Sequence, residues 1–519
     1  MSSSFGRSFQ VQINHLESVL DDSAISWKKL VLQLQLAVYI FETYVSWRQY
    51  GLYSRPTPPA ELTSHVDLET YKQSQAYGKD KAKFGFITSA AEMAMTAAVI
   101  HYDVYARVWT RTGYYLTRFD LPQSEAIHSV LFVIGMFLVR ELPNIPFTLY
   151  KNFVVEEKHG FNKMTIGTFV KDTIIEWIVG FCIGAPLISG LIWVIRWAGD
   201  AFVAYVVAFL LVFQIVALVL YPTLIQPLFN KLTPLPEGAL RDRVLALAGS
   251  LNFPLKHIYV IDGSKRSAHS NAYFYGIIPG GNKHIVIFDT LIEKSTHEEI
   301  EAVLAHELGH WAHMDTGKLL LIGQVQILLQ MSIFTLFIHN VSLYRAFGFS
   351  AAPNLFEKAL GTKLPAAQSS LPVIVGLELF QLVVGPLDAF TKFMLNSAVR
   401  SMEYAADRFA GELTRPPPTA AELKAAEVYN SAPAVAERMQ ANGHPAFSGA
   451  VETALLKVDP YDQLPYTELL KRSLIKLGIQ NLSSMHNDSL YSAYHHSHPT
   501  LSERLHALNL IEAQLKKKH

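Results

Sequence analysis

A single cysteine, Cys182, in 519 residues rules out an intrachain disulfide. That fits a reducing, cytosol-facing setting. Charge is scarce as well. Only 17% of residues are charged, against 50% hydrophobic and 12% aromatic, which is too apolar for an ordinary soluble enzyme of this size. Lys plus Arg equals Asp plus Glu at 44 each, so no bulk field gathers nucleic acid, and none is expected as a partner. A cleavable leader is also missing: the first 28 residues are mixed and polar, and no small-residue cleavage site follows the first apolar run. The first membrane segment is therefore expected to stay in the mature protein. Finally, no repeat with a period of about 20–50 residues is visible, which excludes solenoids and propellers.

The sequence does hold long apolar runs. A bilayer core takes about 20 mostly apolar residues per helix. Seven segments come near this, roughly 29–47, 84–106, 126–148, 173–196, 200–222, 318–340 and 371–394. Several are oddly polar. Gln33, Gln35 and Glu42 lie in the first, Glu92 and His101 in the second, Gln324, Gln326 and Gln330 in the sixth, and Glu378 and Asp388 in the seventh. Each polar group alone reads as a helix-to-helix hydrogen bond. Together they suggest spans arranged around a hydrated space.

The chain therefore divides into membrane helices 1–5 with loops (1–222), a polar block (223–317), helices 6–7 (318–394) and a second polar block (395–519). An odd number of spans puts both blocks on one side, where they can build one site. Lys and Arg in the shorter loops lean towards that side being cytosolic. The proline-rich "RPTPPAE" (55–61) and "RPPPTAAE" (415–422) read as stiff connectors. In the first polar block, "HIYVID" (257–262) and "HIVIFD" (284–289) alternate like strands, and "PGGNK" (279–283) reads as a hairpin turn. "THEEIEAVLAHELGHWAHMD" follows as a helix that Thr296 caps, with Glu299 three residues on, and it runs almost directly into span six.

That helix carries His306-Glu307-x-x-His310. Residues four apart on a helix point nearly the same way, so both imidazoles can reach one metal ion, with Glu307 beside them as a base. Zinc in such a site takes three protein ligands and keeps a fourth position open. The motif is short, and alone it leaves a helix that merely carries histidine as the other reading. A third histidine at the long-motif position is missing, because that residue is Thr316, and His313 is displaced around the helix. A carboxylate from a second helix is the alternative. "SAVRSMEYAADRFAGEL" (397–413) supplies Glu403 and Asp407 four apart on one face. Glu403 suits a ligand, and Asp407 suits an acceptor for the far nitrogen of a ligating histidine. A solvated face paired with Arg400 and Arg408 remains the competing reading.

These stretches, with "EEKHGFNKMT" (156–165), "PLFNKLTPLPEG" (227–238), "GSKRSAHSNAYFYG" (263–276) and "YHHSHPTLSERL" (494–505), resemble the integral-membrane CAAX prenyl protease family of type I. The resemblance runs essentially the whole chain. It implies an α-helical polytopic fold of about seven transmembrane helices around a hydrated chamber, capped by a mixed α/β zincin-like metalloprotease domain. It implies Zn2+ on His306, His310 and Glu403, Glu307 as general base, Asp407 behind the ligands, Asn271 holding substrate backbone and His498 lining the site. Met402 departs from the pattern, since an aromatic residue commonly precedes the ligand.

His498, Asn271 and Tyr273 compete as oxyanion donor. Arg504 reads either as a partner for Asp407 or as a receiver of the substrate carboxylate. The implied substrate is a farnesylated CAAX protein or peptide, cut after the modified cysteine to release a tripeptide. In fungal members a second, N-terminal cut in a mating-pheromone precursor is also implied. The implied location is the endoplasmic reticulum and inner nuclear membrane, to which Lys516 and Lys517 in the terminal "KKKH" add a retrieval-type dilysine. Rival readings are a broad quality-control membrane metalloprotease and, outside enzymes, a seven-span transporter or receptor. An intramembrane protease is disfavoured because "STHEEIEAVLAHELGH" is too polar for a lipid-level helix. Nothing in the sequence speaks to oligomeric state.

Overall fold

A computed structural model describes residues 12, 15–276, 281–349, 371–415 and 464–518. The turn at 279–283, the connector at 415–422 and the final residue of the basic tail fall wholly or partly outside them.

The N-terminal half is a bundle of long helices: α1 (Trp27–Leu52), α2 (Leu68–His101), α3 (Val104–Arg118), α4 (Glu125–Tyr150), α5 (Ile166–Ala198) and α6 (Phe202–Leu220). By length and apolarity, five helical runs among the described residues can cross a membrane: Leu68–His101, Glu125–Glu156, Ile166–Phe229, Asp315–Phe334 and Val373–Glu412. The third run, 64 residues long, holds both α5 and α6 and so accounts for two of the seven expected spans. The expected first span lies on α1. That helix is long enough at 26 residues, but its glutamines and Glu42 keep it outside the five.

Polar residues at span level have two fates. Some join helices: the Gln35 amide donates to the Leu382 carbonyl at 3.2 Å, Gln324 donates to Gln214 at 2.6 Å, and Arg140 pairs with Glu378 at 3.5 Å. Gln326, Gln330 and Asp388 instead line a cavity of about 530 Å³, with Gln381, Thr391 and Lys392. The helix-to-helix reading thus holds for the first set, and the second set faces a cavity.

Beyond α6 come β1 (Leu232–Pro234), α7 (Ala239–Ser250), β2 (Leu255–Ile261), β3 (Ala272–Tyr275), β4 (Lys283–Phe288) and α8 (His297–Ala312). The sheet order is β1-β2-β4-β3, with β2 and β4 parallel and both outer strands antiparallel to their neighbours. The β3 strand is consequently an edge, with one side unpaired in the sheet. The two strands expected from alternation are β2 and β4, and "NAYFYG" supplies the edge.

After α8 the chain enters α9 (Asp315–Phe334) and α10 (Val373–Glu412), then α11 (Tyr466–Gln480), α12 (Ser489–His495) and α13 (Leu501–Lys518). One apolar core joins chain from both sides of α9 and α10. Ile258, Ile285 and Ile287 of the sheet and Ile300, Leu304 and Leu308 of α8 pack with Ala410 of α10, Tyr466 and Leu470 of α11 and Leu508 of α13. Each fully buried aliphatic side chain there stabilises by about 1.5–3 kcal/mol.

Candidate active site

The α8 helix starts as its sequence requires. The Thr296 hydroxyl accepts from Glu299 N–H at 3.3 Å, and the Glu299 carboxylate accepts from Thr296 N–H at 2.9 Å, closing a capping box. On its far side Glu301, buried, accepts from Tyr466 at 2.6 Å and pairs with Arg243 at 2.6 Å. These contacts fix the helix along its length, so the histidine face cannot roll.

The other helix of the site, α10, runs unbroken for 40 residues from span level into the apolar core it shares with α8. It meets α8 at Gly309, where an added Cβ would lie 3.0 Å from the Ala406 Cα and 3.2 Å from its carbonyl oxygen. This glycine lies between the two histidines. Its missing side chain lets the helices close enough for one carboxylate of α10 to meet both rings.

That carboxylate is Glu403. His306 Nε2 lies 3.5 Å from one of its oxygens and His310 Nε2 lies 3.4 Å from the other. The three ligand atoms lie within 4.8 Å of one another. Each histidine turns its other nitrogen to a carboxylate: His306 Nδ1 to Asp407 at 2.9 Å, and His310 Nδ1 to Asp315 at 2.9 Å. Both rings are thereby held with Nε2 aimed at one point. Glu403 is 2% exposed and Asp407 0%, which excludes the solvated-face reading. Arg400 and Arg408 turn away, to Glu503 at 2.7 Å and Glu412 at 3.8 Å.

Arg504 of α13 forks onto Asp407, with Nε to one oxygen at 2.9 Å and a terminal nitrogen to the other at 2.5 Å. Of its two expected roles, the geometry supports pairing with Asp407, because the guanidinium is buried there and already engaged. His498 reaches the same cluster: its Nδ1 lies 2.9 Å from Glu403, while two-thirds of the side chain is exposed. Glu307 is half-buried, and burial lifts its carboxyl above the usual carboxylate range despite the flanking histidines. Burial opposes a charge on His310, but Glu403 and Asp315 outweigh it and raise that imidazole to about 9.

Asn271 and Tyr273 sit at the start of the edge strand, which packs beside α8. Asn271 is exposed, and its side-chain oxygen accepts from Ala272 N–H at 2.8 Å. The Tyr273 hydroxyl bonds Gln226, just past the end of α6. His313 stays out of the cluster, its ring edge-on to Phe409 at 5.7 Å.

Asp315 has no counterpart among the sequence expectations. On a continuous helix, five residues past His310 would point it well off the histidine face. The helix instead breaks at Met314, in the left-handed region at φ 54°, which swings Asp315 back beneath His310. The break's only signal is the short run "HMD" ahead of the apolar span.

Two histidines of one helix facing a glutamate of a second, on a body rooted in membrane-capable helices, define a membrane metallopeptidase. Residues 49–231 match the family described as CAAX prenyl protease N-terminal, five membrane helices, and residues 234–512 match peptidase family M48. The chain is 35% identical to a CAAX prenyl protease 1 homolog of Arabidopsis thaliana, covering 94% of this chain and 98% of that protein. It is 34% identical to CAAX prenyl protease 1 of Saccharomyces cerevisiae, covering 96% and 99%. The crystal structure of S. mikatae Ste24p superposes with a TM-score of 0.77 at 34% identity, covering 94% of this chain and all of that one. The chain belongs to peptidase family M48, in the group that carries the CAAX prenyl protease membrane helices.

The metal that this family implies fits the residues present. One oxygen of Glu403 is buried with no hydrogen-bond partner among the described residues. That oxygen faces His306 Nε2 at 3.5 Å while its twin faces His310 Nε2 at 3.4 Å, so the carboxylate and the two rings form a cation cradle rather than a finished hydrogen-bond network.

Proposed function

We propose that this protein is a zinc endopeptidase that removes the C-terminal tripeptide from farnesylated CAAX proteins at the endoplasmic reticulum membrane, with the two polar blocks forming one catalytic domain on the cytosolic side. The observation that carries the reading is the convergence of His306, His310 and Glu403 on one point with Glu307 one residue from the first histidine. His306, His310 and Glu403 would hold the zinc, which when bound would supply Lewis-acid polarisation of the scissile carbonyl. Glu307 takes the proton of the attacking water and passes it to the leaving amine, a task its lifted pKa suits. The unpaired edge of β3 positions an extended substrate by backbone pairing, with Asn271 and Tyr273 at the start of that strand. His498 is the preferred oxyanion donor, since it already touches the cluster. Arg504 acts through Asp407, keeping the acceptor of His306 in place. A lipid-bearing peptide suits a site at the membrane surface, because the lipid need not leave the bilayer.

The test uses detergent-purified protein of known zinc content, offered a farnesylated CAAX peptide and its unprenylated twin, with products identified by mass. Release of the terminal tripeptide, faster from the farnesylated twin, is the expected result. Equal cutting of both would favour a broad quality-control protease.

Two further outcomes concern the metal. Asp315→Asn and Asp407→Asn should each weaken zinc binding by about 10- to 100-fold, because each frees a ring that its acceptor had oriented. Competition with a chelator of known affinity measures this, and unchanged affinity in both would remove these carboxylates from the site. Zinc affinity should also rise with pH through neutrality. His310 titrates near 9 in the metal-free protein, so at pH 7 it holds a proton that the metal must displace. Zinc titrations that release no protons at pH 7 would contradict this.

A further inference from the structure

The cavity of about 530 Å³ lined by residues of α9 and α10 has no part in the chemistry described above. Its wall is unusual for span level. Gln326, Gln330, Gln381 and Thr391 offer amide and hydroxyl groups, and Lys392 offers a cation. Among the described residues, no carboxylate lies within ion-pairing distance of the Lys392 ammonium, which instead stands 4.7 Å over the ring of Tyr494.

Lys392 is tied geometrically to the metal cluster. It precedes Glu403 by eleven residues on the unbroken α10. Eleven residues make about 16 Å of rise and bring the side chain back to within about 20° of the same face. The segment 494–498 runs along that face. Tyr494 lies under Lys392, the Tyr494 carbonyl accepts from Asn396 at 2.8 Å, and His498 contacts Glu403 at 2.9 Å. One helix face and one strap of chain thus run together from the cluster to the cation.

We propose that Lys392 binds the terminal carboxylate of the substrate and so acts as a ruler that sets which peptide bond lies over the metal. This rests on the tripeptide-releasing function proposed above. Three extended residues beyond the scissile bond span about 10 Å. The remaining rise of about 6 Å is shared between the Glu403 side chain, which leans towards the helix N-terminus and so towards Lys392, and the flexible four-carbon stem of Lys392. The glutamines and Thr391 supply partners for the backbone of the departing tripeptide, and the cavity volume falls in the range of small-ligand sites, about 300–1,000 Å³. Asp388 also lines the cavity, but it lies one turn farther from the metal, so the substrate terminus meets Lys392 first. Lys392 is exposed at the cavity wall, so its replacement leaves the packed core untouched.

The experiment compares two farnesylated peptides, one ending in a free carboxylate and one in a carboxamide, on wild type, Lys392→Gln and Lys392→Arg, each at measured zinc occupancy. Wild type should prefer the carboxylate peptide by about tenfold or more in kcat/KM, chiefly through KM, as expected for one charge-assisted contact. In Lys392→Gln that ratio should fall close to one, and Lys392→Arg should restore most of it. A wild type that cuts both peptides equally, or a Lys392→Gln enzyme that keeps the preference, overturns the assignment while leaving the substrate reading intact. Cleavage of neither peptide by zinc-loaded wild type overturns the substrate reading and the ruler with it.

Discussion

Glu307→Gln is expected to lower peptide hydrolysis by about a thousandfold or more while zinc stays bound in stoichiometric amount. General-base catalysis is worth about 10²–10⁴ in rate, and an amide of the same shape cannot accept the proton. The retained metal follows from the geometry: Glu307 is not among the three atoms that converge, whereas His306, His310 and Glu403 are. The variant should also keep its thermal transition, since the substitution removes no packing and relieves the cost of burying a carboxylate beside Glu403. Elemental analysis and single-turnover rates on the same preparation decide the matter. Loss of zinc in Glu307→Gln would turn the residue into a ligand; full activity would remove it from the mechanism.

The second large effect is expected at Glu403. Glu403→Ala should reduce bound zinc to background and activity to the detection limit, because the third ligand is lost and no other carboxylate of α10 reaches both Nε2 atoms. Asp407, four residues on, is committed to His306 Nδ1 and to Arg504. Glu403→Gln is the control for shape: it keeps the volume and a carbonyl oxygen but loses the charge, and it too should bind zinc far more weakly. Metal content after dialysis against a fixed free-zinc buffer gives the reading. A Glu403→Ala protein that remains fully loaded would mean that the cation sits elsewhere.

Much of this site was legible in the sequence because helices obey fixed periods. His306 with His310, and Glu403 with Asp407, are pairs four apart, and that spacing alone puts each pair on one face. Burial could not be read the same way. Glu403 and Asp407 with Arg400 and Arg408 look like an ordinary charged helix surface, and only tertiary packing separates the two acids from the two bases. Asp315 was hidden for a different reason: its position depends on one left-handed residue, Met314, which no periodicity announces. The spans show the same limit. Apolar length revealed where helices run, but the role of each intramembrane glutamine depended on its neighbour, with Gln324 paired to Gln214 and Gln326 left to a cavity wall.

The unbroken course of α10 has a practical corollary. A single rod carries Pro386, at span level, and Glu403, in the metal cluster, with no hinge between them. The histidine helix is likewise joined to α9 across only two residues, His313 and Met314. No cut among the described residues separates a water-soluble peptidase from its anchor, because the cluster is assembled on extensions of the anchor helices themselves. Changes in lipid thickness or helix tilt are therefore expected to alter the spacing between Glu403 and the two imidazoles, which activity compared across bilayers of different thickness would reveal. Detergent and lipid therefore belong among the determinants of this enzyme's activity, on the same footing as pH and metal.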